Sequence, residues 1–232
     1  MFEKPNLKVY FKSSEGYEEI ADNSVDLLVG DSLHLDFNWE NYKQLFSDIY
    51  VRNAKRVLKD SGVFLTKITD SYHNGEVFPR SKLLLDLLLH EYKLLDIKIW
   101  KRCNSNFYQL PFSYFYVFVK LGNKMTRAQF NKNRQYRCGV WDYPQRAGGK
   151  LNAWNDDLCK FVIDCFTKKG DTILDPLAGT CRLLVQGAKA GRICYGYEKE
   201  ASMEEEIMKV WQTVNSEKYI ISSNNSPQNA AL

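Results

Sequence analysis

Two acidic residues late in the chain each follow a short apolar segment. Asp175 comes directly after Thr172–Leu174, and Glu198 comes directly after Ile193–Tyr197. A turn of small residues, Ala178-Gly179-Thr180, follows the first of them. Because ligands of open α/β sheets bind beyond the carboxyl ends of the strands, this pattern predicts a binding site there. Small side chains let a ligand approach the backbone of the turn, and the second acid can hold two ribose hydroxyls.

The segment that joins the two acids predicts a helix from Arg182 to Ala190, which Gly191 is placed to end. Together the elements form a strand–turn–helix–strand unit. The alternative interpretation is that both acids are surface carboxylates at the ends of two ordinary strands. A nicotinamide dehydrogenase is disfavoured, because only Gly179 is present of the glycines in the dinucleotide fingerprint G-x-G-x-x-G.

Elements earlier in the chain would complete a sheet around this unit. Strands are predicted at Leu7–Phe11, Val25–Gly30, Val63–Ile68, Leu94–Trp100 and Ser113–Lys120. The link between the last two is too short for a parallel crossover, so we expect that pair to be antiparallel. Alternation of the other strands with helices predicts a largely parallel sheet.

The predicted helices are less uniform in their signals. Apolar residues at helical spacing predict a helix over Tyr42–Leu58, ended by Asp60-Ser61-Gly62, and a leucine-rich helix over Arg80–Tyr92. A short helix is expected at Tyr17–Ile20. Asn155 is placed to cap a helix that runs to Lys169. A last helix is predicted over Ala201–Val214, followed by a short strand at Tyr219–Ile221.

The bulk composition is that of one α/β domain. The chain has 232 residues, of which 44% are hydrophobic, and a net charge of +4. None of the six cysteines is paired at C-x-x-C spacing, which disfavours a zinc site and indicates a reducing compartment. The first residues do not form a signal peptide, and Leu83–Leu89 is too short to span a bilayer. We therefore expect a cytoplasmic protein with no contact to a membrane.

Residues 122–150 differ in character from the rest of the chain. They carry seven basic residues against one acid, with four aromatic residues between them. Weak periodicity predicts mostly loop. Lys and Arg would contact phosphates and the aromatic rings could stack on bases, so the segment predicts a nucleic-acid contact. The alternative is a solvated loop whose aromatic residues pack against the core.

The sequence Asp175-Pro-Leu-Ala-Gly-Thr-Cys181 resembles the Asp-Pro-Phe-Ala-Gly-x-Gly cofactor loop of the permuted (beta-class) DNA amino-methyltransferases. The preceding Gly170-Asp-Thr-Ile-Leu174 is similar to the Gly-Asp-x-Val-Leu of that family. Asn23–Asp31 resembles its catalytic strand, which leads into Asp-Pro-Pro-Tyr or Ser-Pro-Pro-Tyr; here Asp31-Ser32-Leu33-His34 follows. Two departures lie in the cofactor loop: Leu177 replaces Phe, and Cys181 replaces a glycine where a side chain can crowd the cofactor.

The resemblance implies a fold and an activity. The fold would be the Rossmann-like S-adenosylmethionine-dependent methyltransferase fold, an α/β fold with a mostly parallel seven-stranded sheet and one reversed strand. Residues 1–232 would form a single methyltransferase domain, with 122–150 as a basic target-recognition-like segment and 222–232 as a flexible tail. The activity would be methyl transfer from S-adenosylmethionine to the exocyclic amino group of cytosine (N4) or adenine (N6) in double-stranded DNA, in a restriction–modification setting.

The resemblance also assigns roles to individual residues. Asp31 and the carbonyl of Ser32 would accept hydrogen bonds from the target amine, and His34 would stack on the extruded base. The cofactor-binding residues would be Asp175, Pro176, Leu177, Ala178, Gly179, Thr180, Glu198 and Asn152, with Trp154 either near the cofactor or in the core. The DNA-binding residues would be Lys101, Arg102, Lys124, Arg127, Lys132, Arg134, Arg137 and Arg146. No metal ligand is expected.

Three functional classes remain open from the sequence. An active DNA amino-methyltransferase, alone or as a homodimer, is the first. A catalytically inactive relative that binds DNA or pairs with an active subunit is the second, because both prolines of the catalytic motif are replaced at Ser32 and Leu33. A methyltransferase acting on RNA or a small molecule is the third.

Overall fold

A computed structural model of the chain describes residues 1–14, 16–31, 39–101, 110–130, 134–144 and 154–216. The strands are β1 (Phe2–Lys4), β2 (Leu7–Tyr10), β3 (Val25–Asp31), β4 (Leu58–Ile68), β5 (Ser71–His73), β6 (Glu76–Phe78), β7 (Tyr92–Lys101), β8 (Phe112–Lys120), β9 (Val140–Trp141), β10 (Thr172–Asp175) and β11 (Ile193–Tyr197). The helices are α1 (Trp39–Phe46), α2 (Ala54–Val57), α3 (Arg80–Leu89), α4 (Arg134–Arg137), α5 (Asp156–Phe166), α6 (Arg182–Lys189) and α7 (Glu204–Ser216). A π-helix at Ser47–Asn53 joins α1 to α2, and 3₁₀ turns lie at Arg127–Gln129 and Ala201–Met203.

One sheet organises the molecule. Its described strands lie in the order β1-β2-β11-β10-β3-β4-β8-β7-β9. The five strands from β2 to β4 are parallel neighbours, whereas β8 is antiparallel to both β4 and β7. The seven strands from β2 to β7 therefore form a mostly parallel sheet with one reversed strand, which confirms the predicted fold class. The short strands β1 and β9 extend its two edges.

Helices cover both faces of the sheet, because the strands are apolar on both sides. One core lies between the sheet and α5, α6 and α7 and includes Trp100, Trp141 and Trp154. The other core lies between the sheet and α1 to α3 and includes Tyr50 and Phe64. This three-layer arrangement brings the carboxyl ends of the parallel strands to one edge of the molecule.

Several predicted elements differ from the observed ones. Tyr17–Ile20 is a turn, closed by the Ile20 N–H on the Tyr17 carbonyl, and not a helix. The helix predicted to run to Leu58 ends at Val57, and β4 starts at Leu58 and includes Asp60-Ser61-Gly62. Gly62 permits this, because a Cβ there would lie 2.9 Å from the Val25 carbonyl oxygen of the neighbouring strand. The turn-like composition of Asp60-Ser61-Gly62 therefore led to a wrong prediction where β4 is in close contact with β3.

The hairpin β5–β6 was not predicted. Asn74 and Gly75 form its turn, both with positive φ, and the Asn-Gly pair is a strong hairpin signal that could have found it. Asn155 caps α5 as predicted by accepting a hydrogen bond from the Leu158 N–H, although that helix ends at Phe166 and not at Lys169. The predicted strand at Tyr219–Ile221 and the tail 222–232 lie outside the described residues.

The basic segment passes along the outer edge of the sheet. Since β8 runs against the parallel strands, it delivers the chain to the edge that lies opposite their carboxyl ends. The described parts of the segment then include a 3₁₀ turn, α4 and β9, which pairs with Ile99 and Trp100 of β7. Tyr136 and Trp141 are buried in the core, as the packing alternative predicts, and not available for stacking on bases.

Candidate active site

Three carboxylates lie at one edge of the sheet. Asp31 is the last residue of β3, Asp175 is the last residue of β10, and Glu198 directly follows β11. These strands are parallel neighbours, so their carboxyl ends meet. The sequence predicted the pairing of Asp175 with Glu198, and the structure places Asp31 beside them.

The turn after β10 is held by backbone hydrogen bonds. The Leu177 N–H donates to Asp175 Oδ1 at 3.0 Å, and the Ala178 N–H donates to the Tyr197 carbonyl at 2.9 Å. Gly179 has φ of 51°, and a Cβ built there meets nothing within 4 Å. A side chain at this position would be strained, and the backbone faces open space on that side. Pro176 and Ala178 are buried, whereas Leu177 and Thr180 are half-buried.

Asp175 is buried in this turn. Burial raises the pKa of its carboxyl to about 7; the Leu177 N–H acts in the opposite direction, and the charges of Asp31 and Glu198 raise the pKa further. A buried acid that titrates near neutral pH between two other acids is typical of a functional site. It is also a position that a cationic group would stabilise.

Cys181 does not stand in the open part of the turn. Its thiol is buried in the core that faces α5 and α6, and burial raises the thiol pKa well above its usual range. The backbone is left-handed there, with φ of 56°, which is the conformation that the glycine in the resembling loops adopts without strain. The thiol is therefore part of the core, and crowding of the cofactor by it stays a prediction.

Glu198 is half-buried and is oriented by its neighbours. Its Oε1 accepts a hydrogen bond from the Glu200 N–H at 2.9 Å, and its own N–H donates to the Tyr10 carbonyl at 3.0 Å. Because β2 is parallel to β11, Tyr10 comes from the next strand end along the same edge. The negative charge of Glu198 also helps to raise the pKa of Asp175, so the carboxylate lies near the turn after β10.

Asp31 has two partners that the sequence did not reveal. Lys67 Nζ lies 2.8 Å from Asp31 Oδ2, and Trp154 Nε1 donates to the same oxygen at 3.0 Å. Trp154 was assigned from the sequence either to the cofactor or to the core. A lysine inside the apolar run Val63–Ile68 was the available signal for Lys67, because lysine is almost never fully buried without a partner.

The remaining predicted site residues fall into two groups. The first group lies outside the described part of the structure and consists of Ser32, His34, Asn152, Arg102, Lys132, Arg146 and the side chain of Arg134. Among the described basic residues, Lys101 ends β7 at the edge of the carboxylates and is exposed.

The other described basic residues lie farther from this edge. Lys124 lies at the opposite edge, since both adjoining carbonyls, of Asn123 and Met125, bind Lys93 near the start of β7. Arg127 Nε lies 2.8 Å from Asp96 Oδ2 on the middle of β7. Arg137 is exposed and ends α4, just before β9. The four predicted DNA-binding residues whose side chains are described therefore do not form one patch.

Neither a metal centre nor a membrane span occurs among the described residues. They contain no group of three or more His, Cys, Asp or Glu side chains that could hold a metal ion. In the same ranges of the chain, no helix is long and apolar enough to cross a membrane.

A family model described as DNA methylase (N6_N4_Mtase) matches residues 36–209, which is more than half of the chain. The chain belongs to the DNA methylase family. This membership confirms the resemblance drawn from the cofactor loop and makes the chain a DNA amino-methyltransferase of the N6/N4 class. The match includes the turn after β10 and Glu198, but it starts beyond Asp31.

Solved structures with the same fold include two described DNA methylases. A putative DNA modification methylase from Thermus thermophilus, complexed with S-adenosyl-L-methionine, has a TM-score of 0.71 and 20% identity over 89% of this chain and 93% of that chain. The cytosine-N4-specific PvuII DNA methyltransferase has a TM-score of 0.72 and 12% identity, and the match covers 93% of this chain and 96% of the PvuII chain. No curated protein matches the chain by sequence.

Proposed function

We propose that this methylase transfers a methyl group from S-adenosylmethionine to the exocyclic amino group of a cytosine (N4) or adenine (N6) in double-stranded DNA. The observation that carries the proposal is the row of carboxylates at the ends of three adjacent parallel strands. We infer that Asp175 and Glu198 serve the cofactor and that Asp31 serves the base.

The residues after β10 and β11 fit the cofactor. Gly179 leaves the backbone of the turn open, so a ligand can approach it closely. The carboxylate of Glu198 follows the next strand, where an acid can accept hydrogen bonds from two ribose hydroxyls. Asp175 would compensate positive charge nearby. The bound cofactor supplies a methyl group that its sulfonium has already activated.

Asp31 is the described acid best placed for the target amine. A carboxylate oxygen that accepts a hydrogen from the amino group orients the nitrogen lone pair, and holding the reacting atoms in line is the main task of the protein. Asp31 Oδ1 is buried and has no hydrogen-bond partner among the described residues, so its capacity to accept a hydrogen bond is unused. Ser32 and His34 remain our proposals for the second acceptor and the stacking group.

A base in duplex DNA must leave the helix to reach Asp31. Lys101 at the end of β7, with Arg102 after it, is our proposal for a phosphate contact beside the site. We further propose that the protein acts in the cytoplasm, in a restriction–modification setting, either alone, as a homodimer or with a partner subunit.

The decisive experiment is transfer of tritiated methyl from S-adenosylmethionine to duplex DNA of mixed sequence. Hydrolysis and chromatography of the product separate N4-methylcytosine from N6-methyladenine. We expect Asp31→Ala to abolish transfer while calorimetry shows unchanged cofactor binding, and Asp31→Asn, which keeps an acceptor oxygen, to retain part of the activity. Asp60→Ala is the matched control, because Asp60 is an exposed acid at the opposite end of β4.

Two outcomes would contradict the proposal. A folded wild type that binds cofactor and DNA but transfers no methyl to any DNA would leave an inactive DNA-binding relative in its place. Transfer to RNA or to a nucleoside in preference to duplex DNA would reject the proposed substrate and retain the chemistry.

A further inference from the structure

A lysine is buried in the sheet beside the proposed catalytic acid. Lys67, next to last in β4, has a side chain that is 2% exposed, and its Cα is the register partner of the Asp31 Cα on β3. Register partners of parallel strands point to the same face, so both side chains enter the core that contains Trp100 and Phe115. Lys67 Nζ lies 5.7 Å from the centre of the Trp100 ring and 2.8 Å from Asp31 Oδ2.

Burying a lysine is costly, so the ion pair needs a reason. Replacing a buried ion pair by apolar residues is often neutral or stabilising, which makes stability a weak explanation for the pair. The position of the pair at the site edge suggests that its geometry serves the carboxylate.

Trp154 donates to the same oxygen from another direction. Its indole Nε1 lies 3.0 Å from Asp31 Oδ2, and its ring is 7% exposed and packs edge-on against Phe115 at 5.1 Å. Two donors fixed by the core thus hold Oδ2. The other oxygen, Oδ1, is buried and without a hydrogen-bond partner in the described part of the chain. The two oxygens of one carboxylate therefore differ completely in their surroundings.

We propose that Lys67 and Trp154 are positioning residues that hold Oδ2 of Asp31 and leave Oδ1 as the one oxygen of this carboxylate that accepts a hydrogen bond from the amino group of the target base. The inference rests on the proposed function, because it assigns an atom to the role of Asp31. With Oδ2 held by two donors, rotation of the carboxylate about its Cβ–Cγ bond is stopped. An acceptor whose orientation is fixed in advance costs no ordering when the base arrives.

The first test replaces each donor. Lys67→Met keeps most of the side-chain volume and removes the ammonium, and we expect it to lower kcat about 10- to 100-fold, the scale of a misplaced reacting group. Trp154→Phe keeps an aromatic ring and removes the N–H, and a loss of about 3- to 10-fold is expected. Lys67→Arg, which retains a cationic donor, should recover part of the activity. Cofactor affinity should stay unchanged in all three variants.

Lys98→Met is the matched control. Lys98 is also a fully buried lysine of this sheet, and its Nζ lies 2.8 Å from the Asp96 carboxylate, but it stands two strands from Lys67 and pairs with an acid outside the site. Its removal should lower thermal stability and leave kcat within about twofold. Equal losses of kcat in Lys98→Met and Lys67→Met would mean that the effect is one of stability, and would overturn the inference.

A double-mutant cycle shows whether Lys67 acts through Asp31. In the Asp31→Asn background, Lys67→Met should cause less than about a twofold further loss of kcat, because the oriented carboxylate is already gone. A full 10- to 100-fold further loss would show an independent role and contradict the inference. The double variant also keeps the inference testable if Lys67→Met alone folds poorly. It removes both charges of the buried pair, so no charged group is left buried without its partner.

The failures of the two proposals are distinguishable. If the wild type binds cofactor and DNA but transfers no methyl group, both the proposed function and this inference are contradicted. If the wild type is active and its Lys67→Met variant keeps full kcat, only this inference is contradicted.

Discussion

Tyr50 carries a buried hydroxyl group at the centre of the α1–α3 side of the sheet. Its side chain is fully buried in the π-helix, and its hydroxyl has no hydrogen-bond partner among the described residues. Gly30 leaves room for it, because a Cβ there would lie 2.8 Å from the hydroxyl oxygen. A buried polar group without a partner costs about 1–3 kcal/mol. The unpaired hydroxyl of Tyr50 therefore lowers the free energy of unfolding, and it lies beside β3, the strand that ends at Asp31.

Tyr50→Phe is therefore expected to leave the free energy of unfolding unchanged or to raise it by about 1 kcal/mol. Urea denaturation of the variant measures the effect. Tyr17→Phe is the matched control: its hydroxyl is equally buried but donates to the Ile49 carbonyl at 2.7 Å, so its loss should cost about 1 kcal/mol. A similar loss in both variants would show that Tyr50 has a partner.

Asp175 makes the stability of the protein depend on pH. Burial raises the pKa of this carboxyl to about 7 in the folded state, above the value of about 3.9 in an unfolded chain. The folded state therefore binds the proton more tightly, and stability falls as the pH rises from about 4 to about 7 and then levels off. The fall attributable to Asp175 is at most about 4 kcal/mol.

Asp175→Asn should remove this fall. Urea denaturation without cofactor at pH 5 and pH 8 measures it, and the difference between wild type and variant isolates the one carboxyl from the other titrating groups. Asp171→Asn, directly before the same strand, is the control that should behave as the wild type. If Asp175→Asn loses as much stability between the two pH values as the wild type does, the carboxyl is ionised throughout.

At the scale of elements, α5 is tied to α6 by a buried polar link. Arg182 Nη1 lies 2.7 Å and 2.9 Å from the two carboxylate oxygens of Asp156, and Gln186 donates to the same carboxylate at 2.7 Å. Burial acts to raise the pKa of Asp156, but the hydrogen bonds from Arg182 and Gln186 outweigh it and hold the pKa below its usual range. The link fixes the first turn of α6, which directly follows the turn after β10.

Asp156→Ala should lower the free energy of unfolding by about 3 kcal/mol, because it leaves the Arg182 guanidinium buried without its carboxylate. The native contribution is present above about pH 4 and is lost as the pH falls through the lowered pKa of Asp156. Chemical denaturation at pH 7 and pH 3 tests both statements: the difference between wild type and variant should be large at pH 7 and small at pH 3.

The control for this link is an exposed ion pair. Lys82 and Asp86 on α3 are both more than half exposed, and such pairs contribute about 0–1 kcal/mol. Asp86→Ala should therefore change stability by less than about 1 kcal/mol. Equal effects of Asp86→Ala and Asp156→Ala would contradict the structural role assigned to the link.

At the scale of the whole molecule, the strand directions place chemically similar basic residues at opposite edges of the sheet. Lys101 ends β7 at the edge of the carboxylates, whereas Lys124 lies at the opposite edge of the sheet because β8 is reversed. If the target base reaches Asp31, we expect the DNA to pass near Lys101 and not near Lys124. The DNA contact expected of residues 122–150 stays a prediction, and Lys101 and Lys124 offer a way to test it.

Lys101→Ala should weaken DNA binding for all sequences and reduce the slope of log K against log salt by about one unit, as expected for one lost phosphate contact. Lys124→Ala, which removes the same charge at the far edge, should leave the slope unchanged. Binding isotherms at four salt concentrations measure both. An effect of Lys124→Ala as large as that of Lys101→Ala would place the DNA across the outer face of β7.

The sequence by itself determined the fold and the family. Period-2 and period-3.6 patterns and the short link before Ser113 predicted a parallel sheet with one reversed strand, because apolar periodicity and link length are local properties. Asp175, Glu198 and the turn between them were predicted correctly as one unit. Two of the errors, at Tyr17–Ile20 and at Asp60-Ser61-Gly62, arose where a tertiary contact overrode local composition.

Only the tertiary structure decided how the site is built. Lys67 and Trp154 are separated by 87 positions in the chain. Both contact one oxygen of Asp31, because β4 lies beside β3 and Trp154, two residues before α5, lies at the end of β3. The strand order and the register place these groups, and neither is a property of any local stretch of sequence. For the same reason the sequence grouped Lys124 with Lys101, while the reversal of β8 puts them at opposite edges of the sheet.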